Sequence, residues 1–145
     1  ASVVVSGDYI YAAAEEKSPN VYCFDRITGE RVWIYKNRAA FFSTPAVVGD
    51  RLWIGSDDRN LHCINAQTGE GIWKFKTKGA VWSSPCVIGD RIIFGSRDFH
   101  LYMLDAGTGE LVWKHKLDGR IISSPLVVDG GIWIGTATGY FYHFA

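Results

Sequence analysis

STPAVVGDRLWIGS, running from Ser43 to Ser56, returns as SSPCVIGDRIIFGS from Ser83 to Ser96 and as SSPLVVDGGIWIGT from Ser123 to Thr136. The step is 40 residues each time. A second phrase keeps that step, because TGERVW, TGEGIW and TGELVW begin at Thr28, Thr68 and Thr108. Aligned without a gap, residues 43–82 and 83–122 agree at 18 of 40 positions. A fixed period in this range marks stacked copies of one supersecondary unit, none of which can bury its apolar face alone. The first copy is two residues longer than the second: EEKSPN (Glu15–Asn20) stands where the second has DDRN (Asp57–Asn60). Insertions of this kind fall in loops. The repeat divides the 145 residues into units 1–42, 43–82, 83–122 and an incomplete 123–145.

Each unit reads as four short strands. In the second unit these are Thr44–Val48, Arg51–Ser56, Leu61–Asn65 and Gly71–Lys76, with Gly49-Asp50 as a tight hairpin turn between the first two. The third unit predicts Ser84–Ile88, Leu101–Asp105 and Leu111–Lys116 at the matching places, and the fourth Ser124–Val128 and Phe141–Phe144. LWIG and IIFG are apolar at consecutive positions, as strands buried on both faces are, whereas Ile72-Trp73-Lys74-Phe75-Lys76 alternates. Burial on both faces requires a sheet stacked on either side. The predicted fold is therefore all-β: four antiparallel β-propeller blades, the last lacking its outer strand, forming a half or partial ring.

The repeated turn has a coherent chemistry. Asp25, Asn65 and Asp105 each stand three residues before a Thr-Gly pair, and a Trp follows four residues after that Gly. The sets are Asp25, Gly29, Trp33; Asn65, Gly69, Trp73; and Asp105, Gly109, Trp113. A short Asp or Asn side chain bonds backbone amides in the turn, and Gly accepts positive φ there. Gly also leaves a flat peptide on which an indole can lie, while the buried indole N–H needs an acceptor. Trp33, Trp73 and Trp113 are thus expected to lock blade to blade.

This spacing resembles the tryptophan-docking motif A-x-D-x-x-T-G-x-x-x-W of the quinoprotein-type propellers, the repeat family named for pyrroloquinoline quinone. One position departs from it, since Cys23, Cys63 and Met103 occupy the Ala place. Propellers of the WD type also have blades of this length, but here Ile34, Lys74 and Lys114 follow the tryptophans instead of Asp. The resemblance implies a periplasmic or extracellular setting. Enzymes of the family are calcium-dependent quinoprotein dehydrogenases, and similarity to them would predict neighbouring cysteines, calcium-binding carboxylates and a catalytic Asp. None is recognisable: no two cysteines are adjacent, and Asp57-Asp58 reads as a solvated hairpin loop. No catalytic residue, metal site or cofactor is expected.

Composition sets outer bounds. Fifteen Lys and Arg balance fifteen Asp and Glu, so no clustered positive charge argues for a nucleic-acid partner. No apolar run approaches the roughly 18 residues of a spanning helix. Three cysteines do not make a disulfide framework. His62, His100, His115 and His143 each occur in a single copy and do not suggest convergent ligands.

The connections from fourth strand to next first strand carry Arg38, Phe42, Lys78, Trp82 and Arg120. These could grip a peptide or an acidic ligand. Alternatively Phe42, Trp82 and Ile122, which share one repeat position, pack between blades while the cations are solvated; this second reading is favoured. The expected function is a non-enzymatic scaffold or protein-interaction segment of a larger closed propeller. The alternatives are a piece of a quinoprotein dehydrogenase and a repeat array with no ligand. The apolar faces of the end blades require a cover. Two chains joined end to end into an eight-bladed ring would supply it, as would the rest of a longer parent chain.

Overall fold

The computed structural model describes residues 3–15 and 19–145; residues 16–18, within the expected Glu15–Asn20 insertion, lie outside it. The described residues form strands and connections, with no helix. The first sheet holds β1 (Val3–Ser6), β2 (Tyr9–Ala13), β3 (Asn20–Asp25) and β4 (Arg31–Lys36). The second holds β5 (Ala46–Val48), β6 (Arg51–Gly55), β7 (Asn60–Asn65) and β8 (Gly71–Lys76). The third holds β9 (Cys86–Ile88), β10 (Arg91–Gly95), β11 (His100–Asp105) and β12 (Leu111–Lys116). The last holds β13 (Leu126–Val128), β14 (Gly131–Gly135) and β15 (Phe141–Phe144). Every pairing is antiparallel and between sequence neighbours, so each sheet is a simple meander. This is the expected all-β propeller architecture, four sheets in an arc that does not close.

The fourth strands fall at their expected ends, but the first strands are shorter than expected. They begin at Ala46, Cys86 and Leu126, two residues after the expected starts, because the Ser-Thr/Ser-Pro segment bonds elsewhere. Ser43 Oγ donates to the Gly55 carbonyl and accepts from the Gly55 amide at 2.8 Å, while the Thr44 amide reaches across to Ser84 Oγ in the next sheet, also at 2.8 Å. The next link in that chain is the Ser84 amide to Ser124 Oγ, at 3.2 Å. Pro45 and its counterparts have no amide hydrogen to offer a ladder. The second strands end one residue early, at Gly55 and Gly95, since the Ser56 and Ser96 hydroxyls are bound to carbonyls of the preceding connection.

The core lies between sheets. Tyr11, Val21, Cys23 and Trp33 of the first sheet bury against Leu52, Ile54, Ile64 and Ala66 of the second. Trp53, Leu61 and Cys63 then meet Ile92, Phe94, Tyr102 and Leu104 of the third, and Ile93 and Leu101 meet Ile132 and Ile134 of the last. Alternate residues of one strand thus serve opposite junctions, which explains the unbroken apolar runs of β6 and β10. The connections pack tightly on the second strands, since Gly55 and Gly95 face Val81 and Ile121 of the β8–β9 and β12–β13 connections with no room for a Cβ.

Candidate functional site

The repeated turn is built identically three times. Asp25 Oδ1 accepts the Ile27 and Thr28 amides at 2.8 Å, Asn65 Oδ1 the Gln67 and Thr68 amides at 2.9 and 3.0 Å, and Asp105 Oδ1 the Gly107 and Thr108 amides at 3.0 and 2.9 Å. The hydroxyls of Thr28, Thr68 and Thr108 accept the following Glu amides. The bonds from the Thr28 and Ile27 amides hold the Asp25 carboxyl below the usual carboxylate range, and the Thr108 amide leads the same effect at Asp105. Gly29, Gly69 and Gly109 sit at φ +72°, +77° and +78°.

Two of the three tryptophans reach the next sheet's turn. The Trp33 ring lies on Gly69, so close that a Cβ there would be 2.6 Å from it, and its Nε1 donates to the Ala66 carbonyl at 3.0 Å. Trp73 lies on Gly109 in the same way and donates to the Gly107 carbonyl at 3.0 Å. Trp113 packs edge-on against Phe144, 5.4 Å between centroids. No Trp lies on Gly29 among the described residues.

On the loop face, Phe42 and Trp82 come together with ring centroids 5.1 Å apart. Trp82 Nε1 donates to Asp57 Oδ1 at 2.9 Å, and the Arg97 guanidinium lies 4.2 Å above the Trp82 ring. Arg38, Lys78 and Arg120 are exposed, and among the described residues none of them stacks on this pair. The Lys78 amide donates to Asp98 Oδ2 at 3.0 Å instead. Arg97 is thus the cation that the connection-by-connection reading missed, because it comes from the β10–β11 loop of the neighbouring unit.

Of the Asp57-Asp58 pair, Asp57 is exposed as expected, whereas Asp58 is half-buried. Asp57 binds Trp82, and Asp58 Oδ2 receives His62 Nε2 at 2.8 Å. His62 is fully buried, and its Nδ1 meets the Tyr35 hydroxyl at 3.0 Å, so a Tyr–His–Asp chain crosses from the first sheet to the second. Burial opposes ionisation of Asp58, yet the His62 hydrogen bond and charge and the Asn60 amide outweigh it and hold the carboxyl well below its ordinary value. The third unit repeats the device with Tyr102, whose hydroxyl donates to Asp98 Oδ2 at 2.6 Å. Asp at 58 and 98 with a hydrogen-bonding ring at 62 and 102 was the signal available in the sequence.

Cys23, Cys63 and Cys86 lie in three different sheets as free thiols. Burial pushes the Cys23 and Cys63 thiols up to about 11, which leaves them protonated and unreactive at neutral pH. No group of three His, Cys, Asp or Glu among the described residues is placed to hold a metal ion.

Repeat, turn and sheet order define a quinoprotein-like propeller. The sequence profile described as "Outer membrane protein assembly factor BamB" matches residues 17–139, and the chain belongs to this family of PQQ-like repeat propellers. BamB from Moraxella catarrhalis superposes with a TM-score of 0.84 at 20% identity, over 95% of this chain and 43% of that one. The computationally designed Ika4 protein superposes at 0.86 with 14% identity, over 98% and 88%. A europium-containing methanol dehydrogenase gives 0.71 at 19% identity, over 81% and 24%. The chain spans less than half the length of the Moraxella protein. No curated protein sequence matches it.

Proposed function

We propose that this chain is a non-enzymatic propeller module, part of a larger closed ring, acting as a rigid scaffold that presents its loop face to a protein or peptide. The observation that supports this is where the repeated polar groups go. Asp25, Asn65 and Asp105, the Thr hydroxyls and the Trp33 and Trp73 indoles all use their polar atoms inside turns or between sheets. A frame so occupied leaves chemistry to residues outside the repeat. Of these, the Phe42–Trp82–Arg97 cluster offers two aromatic faces and a cation, the composition that interfaces favour.

Likeness to methanol dehydrogenase favours a second reading, a segment of a quinoprotein dehydrogenase. Adding pyrroloquinoline quinone and calcium to the chain and following dye reduction separates the two. Our reading expects no quinone-dependent turnover, and turnover would overturn it. The fit to a designed repeat protein favours a third reading, a repeat array without ligand. Panning a random peptide library tests that: binders that lose at least about tenfold in affinity on Trp82→Ala are expected. A library that yields none would favour the ligand-free array.

A further inference from the structure

The first and last sheets each keep one apolar face uncovered. On the last sheet Phe141 is 80% and Trp133 46% exposed, the latter stacked on His143 at 4.4 Å. On the first sheet Val3 and Val5 are 60% and 56% exposed, beside the half-buried Ile10 and Ala12. With residues 1–14 matching 43–56 and the 40-residue step elsewhere, Val5, Ile10, Ala12, Trp133 and Phe141 correspond to Val47, Leu52, Ile54, Trp53 and Leu101 of the junctions inside the chain. We infer that the two faces close on each other between two copies of this chain, giving a head-to-tail ring of eight sheets. The inference rests on the proposal that the chain belongs to a larger closed propeller, and it names the partner.

Size matching across the open junction points to a second copy. At each internal junction one residue from the third strand shares a cluster with one from the next sheet's second strand. The pairs are Val21 with Ile54, Leu61 with Phe94, and Leu101 with Ile134. The pair left for the open junction is Phe141 with Ala12. The largest member of one set meets the smallest of the other, which conserves the volume a close-packed interface needs. A second exchange occurs nearby. Tyr9 packs on the cluster containing the buried Ala66, while the corresponding residues at the open junction are Gly131 and Arg26.

Polar geometry agrees. Tyr11 Oη donates to the Ala66 carbonyl at 3.1 Å and Trp53 Nε1 to the Ala106 carbonyl at 3.2 Å. Trp133 occupies their repeat position, and the matching acceptor is the Arg26 carbonyl of the second copy. The Arg26 amide is fixed to the Asp8 carbonyl at 2.8 Å, as the Ala66 and Ala106 amides are to Asp50 and Asp90. The arc superposes on 43% of the Moraxella chain, so two such arcs account for most of a chain of that length. Two heterologous junctions then close the ring, with no open end left to extend.

Light scattering and native mass spectrometry of the full chain test this. A dimer is expected at micromolar concentration. Phe141→Ala and Ala12→Phe should each weaken dimerisation at least about tenfold, and the double variant should recover to within about threefold of wild type. Gly131→Arg restores the residue that Arg51 and Arg91 hold in other sheets; it should weaken the dimer and be rescued by Arg26→Ala. This second pair carries the test if a variant of the first fails to fold. A wild-type monomer up to about 100 μM would overturn the inference, as would open-ended oligomers or double variants without recovery. Quinone turnover is a separate readout, so the scaffold reading and the closure by a second copy can fail independently.

Discussion

The same glycine occurs three times with nearly the same φ, and only its neighbours differ. Gly69 and Gly109 carry a Trp ring on the face where a Cβ would stand, and Gly29 has nothing within 4 Å. Gly29→Ala should therefore cost only the positive-φ penalty of about 1 kcal/mol, and Gly69→Ala about 3 kcal/mol because ring and methyl also collide. Urea denaturation of the two variants measures the difference, and equal losses would show that the turn alone sets the requirement. Asp58 gives a pH prediction. Its carboxyl is held below the unfolded value, so the stability it contributes is present above about pH 4, the ordinary carboxylate range, and is lost as pH falls below it. Asp58→Asn should flatten that part of the stability–pH curve, as read from denaturation at a series of pH values. The turn residues were legible in the sequence because each acts on its own backbone within four positions and recurs. The Tyr35–His62–Asp58 chain was legible only in part, because the Asp58–His62 spacing recurs at Asp98 and Tyr102 whereas Tyr35 comes from another sheet.

At the scale of the strand, the outer strand of one sheet is fastened to the turn of the next by a single large side chain. Trp33 is 8% exposed and makes one hydrogen bond. Trp33→Phe keeps most of the apolar contact and should cost about 1–2 kcal/mol, while Trp33→Ala should cost about 3–5 kcal/mol. Thermal unfolding followed by near-ultraviolet circular dichroism distinguishes them; a loss on Trp33→Phe as large as on Trp33→Ala would mean that the hydrogen bond dominates. Inner strands obey a different constraint. Gly95→Ala should destabilise through its clash with Ile121, with partial recovery when Ile121→Ala is added. Strand identity was readable from period and alternation, but the starts of the first strands were not. Thr44 has good strand propensity, yet its amide and that of Ser84 bond a hydroxyl 40 residues away in the next unit.

For the whole molecule, burial is graded along the arc. β6, β7, β10 and β11 are covered on both faces, whereas β14 and β15 present Trp133 and Phe141 to solvent. Hydrogen exchange at concentrations below dimerisation should show β15 amides exchanging at least about tenfold faster than those of β7. Uniform protection along the chain would contradict an arc whose sheets depend on their neighbours. If two copies close the ring as inferred, raising the concentration should slow exchange in β14 and β15 and raise Tm, because association stabilises only the folded form. The loop face follows the same logic of neighbours: Phe42, Trp82 and Arg97 come from different connections and meet only because successive sheets bring their loops to one side. Single connections carried the two aromatic residues, whereas Arg97 joins them from the β10–β11 loop.

The sequence by itself determined the repeat, the strand count, the three Asx-anchored turns and the class of fold, since all of these are set within one 40-residue unit and confirmed by its copies. Only the tertiary structure decided which residues meet across sheets: Trp33 on Gly69, His62 between Tyr35 and Asp58, Arg97 over Trp82, and which faces stay bare. A linear pattern records the two faces of a strand, but the partner on each face is fixed by how the sheets stack. That stacking depends on side-chain volume and hydrogen-bond geometry summed over residues far apart in the chain.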